Sequence, residues 1–216
     1  GNDTLTGGSG TDTIKFTGTQ STALAEADVA KVTNFEILDM GDNTARTIAV
    51  DDETVASGQN VTITNTGQTT TVATVDASTV STGGGTVTVT LTGTGAHNVT
   101  LGSGNDTVTA AGGGAITVAG TLGSNSITLG AAADSVTSGL GIDTIDFADD
   151  DAADVYRTLG NGTANTYAQD VITNFDIAKA DGTAEDIIQV DLSDIAAIGS
   201  VATSLTLINS KATANV

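Results

Sequence analysis

The chain has 216 residues, 26 acidic against 6 basic side chains, and a net charge of −20. That balance excludes nucleic acid and anionic membrane surfaces as partners, since both are held by basic patches. There is no Cys for a disulfide or thiolate site, and no apolar run reaches the about 18 residues of a membrane span. Aromatic residues are only 3% of the chain, whereas 38% is hydrophobic, mostly Val, Ile, Leu and Ala among many Thr and Gly. A thin core of β-branched side chains turned at glycine suits a solenoid better than a sphere. Carboxylates at this density repel one another on compaction, which favours a cation as partner.

From the N-terminus, residues 7–15 read Gly7-Gly8-Ser9-Gly10-Thr11-Asp12-Thr13-Ile14-Lys15, a full nonapeptide G-G-x-G-x-D-x-U-x with U a large aliphatic residue. Residues 1–6 are the back end of another copy, Asp3 standing nine positions before Asp12. No basic segment precedes an apolar stretch, so no signal peptide is expected, and a chain opening on Gly1-Asn2-Asp3 reads as an internal piece of a longer protein. Residues 1–16 are thus expected to be the tail of an upstream repeat array.

Residues 17–82 lack the nonapeptide. Ser21–Lys31 is Ala-rich with Glu26 early and Lys31 late, which predicts a short helix. Strand-like runs follow at Thr47–Val50, Asn60–Thr64, Thr71–Val75 and Gly85–Thr92, separated by Gly, Asn and Asp turns. They suggest a parallel β-helix spacer or a small sandwich, and the absence of Asn-Gly hairpin turns favours the former.

The repeat returns in residues 83–148. Leu101-Gly102-Ser103-Gly104-Asn105-Asp106-Thr107-Val108-Thr109 and Ser138-Gly139-Leu140-Gly141-Ile142-Asp143-Thr144-Ile145-Asp146 match everywhere but the first Gly. Residues 129–137 keep Gly130, Asp134 and Val136. The aliphatic positions Val99, Val108, Val118, Ile127, Val136 and Ile145 step by nine, ten, nine, nine and nine. The glycines permit sharp turns that aim carbonyls inward. The Asp offers a hard carboxylate oxygen, and calcium takes six to eight such oxygens. The x-U-x half is a short strand whose apolar side is covered only by stacking on its neighbours. Position six is Asn125 in one copy and His97 in another; His97 reads as a degenerate turn residue rather than a catalytic base.

Residues 149–216 change character. Asp149–Asp151 precede Ala152, Val155, Tyr156 and Leu159 at helical spacing, with Gly160 to close. The acidic run is read as an N-cap for that helix, with a further ion site as the alternative. Ser193 and Gly199 bracket one more short helix. No nucleophile triad, H-E-x-x-H or phosphate loop is present, so no enzymatic activity is expected.

The nonapeptides resemble the repeats-in-toxin (RTX) family. That resemblance implies an all-β fold, a right-handed parallel β-roll or β-helix solenoid with short capping helices, and calcium as the bound ion. It implies ligands from motif positions two, four and six: Asp3; Gly8, Gly10 and Asp12; Gly102, Gly104 and Asp106; Gly130 and Asp134; Gly139, Gly141 and Asp143. The runs Asn34–Asp39, Val75–Ser78 and Leu101–Asp106 are similar to bacterial surface-layer proteins and large adhesins exported by type I secretion. Gln169–Asp176 and Glu185–Ser193 resemble the end cap that follows the roll in such secreted proteins. The implied role is a calcium-binding structural module at the cell surface, calcium driving folding and self-association into a lattice or filament. The alternative is a non-catalytic secretion or polysaccharide-binding module of an extracellular enzyme.

Overall fold

Strict alternation of aliphatic and hydroxyl residues sets the architecture. In β9 (Thr86–Leu91) Val87, Val89 and Leu91 are fully buried while each intervening Thr faces outward. This is the period-two pattern of a strand with one covered face. The structure is a computed structural model, described for residues 4–18, 23–24, 32–41, 44–65, 70–81, 83–148, 150, 152–158, 170–175 and 186–189.

Successive strands alternate between two sheets. The first sheet holds β2 (Thr13–Lys15), β5 (Ile37–Asp39), β7 (Asn60–Thr64), β9, β11 (Thr107–Ala110), β13 (Ser126–Thr128), β15 (Thr144–Asp146) and β17 (Val171–Thr173). The second holds β3 (Ala23–Leu24), β6 (Arg46–Asp51), β8 (Ala73–Thr79), β10 (His97–Thr100), β12 (Ile116–Ala119), β14 (Ser135–Thr137), β16 (Val155–Arg157) and β18 (Ile187–Gln189). A short pair, β1 (Leu5–Thr6) on β4 (Val32–Thr33), lies beside them. Among the described residues every pairing is parallel, which excludes the small sandwich and makes the fold an all-β, two-sheet parallel β-roll.

The aliphatic stacks form one continuous core. Leu38, Ile63, Val89, Val108, Ile127 and Ile145 align strand on strand in the first sheet. Ile48, Val75, Val99, Val118 and Val136 do so in the second. Each such side chain, fully covered, contributes about 1.5–3 kcal/mol. Phe147, fully buried, closes the later coils with Phe175 edge-on, ring centroids 5.7 Å apart.

Three expected helices fare differently. Ala23–Leu24, inside the expected Ser21–Lys31 helix, is strand β3, paired with Thr47 and Ile48; the rest of that segment lies outside the described residues. The helix over 152–159 is replaced by β16, whose Val155, Tyr156 and Arg157 pair with Ser135, Val136 and Thr137. A full sheet ladder and a buried Tyr156 outweigh weak helical spacing. The Ser193–Gly199 segment lies outside the described residues. Of the expected strands, Asn60–Thr64 is β7 and Thr47–Val50 falls within β6, whereas Thr71–Val75 is displaced to β8.

Candidate metal centre

Motif position six sits at a coil corner, immediately before a strand. There the side chain does something the linear motif does not announce: it caps the backbone of the preceding coil. Val87 donates its N–H to Asp106 Oδ1 (2.8 Å), Asp106 to Asn125 Oδ1 (3.0 Å), Asn125 to Asp143 Oδ1 (2.7 Å), and Asp143 to Asp170 Oδ1 (2.9 Å). On the second sheet Ile116 donates to Asp134 Oδ1 (2.8 Å), Asp134 to Asp154 Oδ1 (2.8 Å), and Asp154 to Asp186 Oδ1 (3.0 Å). These N–H groups stand at the entrance of each strand, where a buried donor left unmatched costs about 1–3 kcal/mol. The result is two ladders of capping side chains, six carboxylates and the Asn125 amide, one ladder per sheet, running along the coil axis.

Each aspartate rung spends Oδ1 on this cap, and Asn125 its amide oxygen. Oδ2 of Asp12, Asp134 and Asp143 is buried without a hydrogen-bond partner. Burial pushes the Asp134 carboxyl up to about 7, helped by the nearby Asp154 and Asp150 charges. Burial likewise raises Asp143 and Asp154 to about 6, with Asp170 adding to the first and Asp186 and Asp150 to the second. Asp106 is raised by burial too, against the backbone donors Val87 and Gly102. Buried, unpartnered carboxylate oxygens held near like charges fit a divalent cation, which supplies both the missing partner and the neutralising charge.

Among the described residues no three Asp, Glu, His or Cys side chains converge on a metal position. An ion here therefore needs backbone carbonyls as well, an ordinary donor for calcium. The motif glycines stand in the connections that precede these strands. Gly8, Gly10, Gly139 and Gly141 have φ of +106°, +125°, +87° and +142°, which admit little but glycine. Gly102, Gly104 and Gly130 are fixed by close approach instead: an added Cβ would lie 2.8 Å from Val80 Cβ, 2.5 Å from the Gly85 carbonyl oxygen and 2.2 Å from that of Gly112.

Asp3 lies outside the described residues. Asp12 is placed at the start of the first sheet, its own N–H donating to Glu36 Oε2 at 2.8 Å, so Glu36 serves as the capping rung of the next, longer coil. His97 is not a turn residue: it opens β10, is 3% exposed, and its Nδ1 accepts the Ala73 N–H at 3.1 Å. A neutral imidazole thus replaces a carboxylate as cap, and burial keeps its pKa below the ordinary value. Asp150 caps the Ala152 N–H in a turn, where a helix N-cap was expected.

Sequence reasoning missed Asp154, Asp170 and Asp186 as rungs. Their signal is present as Asp154-Val155-Tyr156-Arg157, Asp170-Val171-Ile172-Thr173 and Asp186-Ile187-Ile188-Gln189, each the D-x-U-x half of the motif with an aromatic or aliphatic U. Long connections hide them: 27 positions separate Asp143 from Asp170 and 32 separate Asp154 from Asp186, against 18 from Asn125 to Asp143.

Against known proteins, the model of the RTX calcium-binding nonapeptide repeat matches four copies, in residues 1–15 and 117–145. Residues 101–109 lie outside those spans, although Asp106 occupies the same place in the ladder. No curated protein and no solved structure matches the chain.

Proposed function

From a chain that carries RTX calcium-binding repeats, we propose a calcium-ordered structural module of a secreted bacterial surface protein, of the surface-layer or adhesin kind, without catalytic activity of its own. The observation that carries this reading is the pair of orphaned oxygens, Asp134 Oδ2 and Asp143 Oδ2, buried at motif position six on the two ladders. Calcium bound there neutralises carboxylates that burial otherwise penalises, and so couples ion binding to folding. Asp106, Asp134 and Asp143, with Asp12 in the first copy, supply carboxylate oxygen, and the turn backbone at Gly8, Gly10, Gly102, Gly104, Gly130, Gly139 and Gly141 supplies carbonyls. An extracellular medium, rich in calcium and reached through type I secretion, suits a fold that stays loose until exported.

Self-association into a lattice or filament belongs to the same reading, because a solenoid presents sheet edges at its ends and flat faces along its length. A polysaccharide-binding role finds less support, since only six basic side chains are available to an acidic glycan. Circular dichroism in millimolar calcium and in chelator tests the ion: β signal that is the same in both sinks it. Sedimentation and electron microscopy under the same two conditions test assembly, and a chain that stays monomeric in calcium rules that part out.

A further inference from the structure

Tyr156 stands where its stack otherwise carries aliphatic side chains, between Val136 and Ile188, and is 3% exposed. Its hydroxyl reaches the turn that leads from the second sheet into the first. There it donates to Asp170 Oδ2 and lies 3.0 Å from Ser138 Oγ. Asp170 Oδ1 meanwhile accepts the Asp143 N–H at 2.9 Å, and Asp143 Oδ2 is one of the orphaned oxygens. Tyr156 therefore ties up the free oxygen of the rung directly beyond Asp143.

A phenol carries one hydrogen and can serve one acceptor at a time. Burial, then the Asp170 carboxylate, holds the Tyr156 hydroxyl well above its ordinary range, so it remains a donor. Ser138, 1% exposed, offers that hydrogen a second acceptor already within reach. We propose that Tyr156 is a placeholder for the cation: in the ion-free roll its O–H holds Asp170 Oδ2, and when calcium enters between Asp143 and Asp170 the O–H turns to Ser138 and yields that oxygen. The ring stays in the core, and the Tyr156 hydrogen keeps an acceptor. Tyr156 thus sets how readily this rung pair takes an ion, without being a ligand. The inference rests on the calcium reading above.

Calcium titrations of the full chain and its variants, read by circular dichroism and calorimetry, test it. Tyr156→Phe removes the competitor and should lower the calcium concentration at half-response, by roughly tenfold for one ordinary hydrogen bond to a charged group. Ser138→Ala removes the fallback acceptor and should raise it by a similar factor. Combining them should abolish the Ser138→Ala penalty, because no hydroxyl remains to be rehoused. A merely structural Tyr156 gives the opposite pattern, with each substitution weakening the response and the losses adding, and that overturns the proposal. So does a Tyr156→Phe chain that fails to fold in saturating calcium. A chain whose dichroism ignores calcium overturns the calcium reading as well, whereas additive losses in a responsive chain overturn the role of Tyr156 alone.

Discussion

Asp143 accepts the backbone N–H of Asn125 through Oδ1 at 2.7 Å, across 18 positions of chain, while its Oδ2 is buried with nothing to bond. One carboxylate therefore has two separable jobs. The first oxygen fastens consecutive coils; the second awaits a cation. The two jobs respond differently to substitution.

Asp143→Asn keeps an acceptor for the Asn125 N–H but removes the charge. In chelator its thermal midpoint should be no lower than that of the parent chain, because a carboxyl pushed up to about 6 by burial is no longer present. In calcium it should lose most of the ion's stabilisation. Asp143→Ala should lose stability in both buffers, by about 1–3 kcal/mol for the uncapped N–H. Thermal unfolding in the two buffers measures this, and an Asn variant with full calcium stabilisation would contradict the ion assignment.

The ion-free fold should gain stability on acidification. The folded carboxyls of Asp134, near 7, and of Asp143 and Asp154, near 6, lie above the value of 3.8 expected in the unfolded chain. The native state thus holds more protons between about 4 and about 7, so the slope of stability against pH is negative there. Stability is gained as pH falls through this window and lost as it rises. Calcium must displace those protons, which reverses the trend when the ion is present. Melting curves across the window, in chelator and in calcium, should slope in opposite directions.

His97→Ala should cost about 1–3 kcal/mol through the unpaired Ala73 N–H, with a cavity penalty added. Although a degenerate repeat position reads as dispensable, this one is buried and bonded. His97→Asn should recover part of the loss by restoring an acceptor. Urea midpoints of the three chains give the comparison. Equal midpoints for Ala and the parent would show that the imidazole caps nothing.

Gly141→Ala should be among the most damaging single-methyl additions. Its φ of +142° is strained for any L side chain, and the added Cβ would sit 1.7 Å from the Gly123 carbonyl oxygen. Gly8→Ala, at φ +106° with nothing within 4 Å, meets strain alone, about 1–3 kcal/mol. Thermal midpoints in saturating calcium should fall farther for Gly141→Ala, and the reverse order would be evidence against the stacked turns.

The roll was legible where its period is short. Val99 to Ile145 step so regularly that strand, turn and inward face follow from spacing alone. Where connections lengthen, the same pattern is hidden. Val155 and Tyr156 satisfy both a helical spacing and a D-x-U-x strand, and local spacing cannot tell which neighbours will cover them. Only the pairing of Tyr156 with Val136 and Ile188 decides for the strand. Solenoid coils tolerate long excursions at their turns because stacking constrains only the strands.

The amino-acid order by itself determines the short strands, their turn glycines and a carboxylate at most sixth motif places, with Asn125 and His97 as the exceptions, because these depend on local conformation and period. It also carries the calcium reading, through ligand chemistry at that place. Tertiary structure alone decides which oxygen of each carboxylate caps the coil before it and which is left over, and which side chain competes for the remainder. Those outcomes depend on groups 14 to 32 positions apart brought within hydrogen-bond reach, where burial sets the cost of leaving either one unmatched.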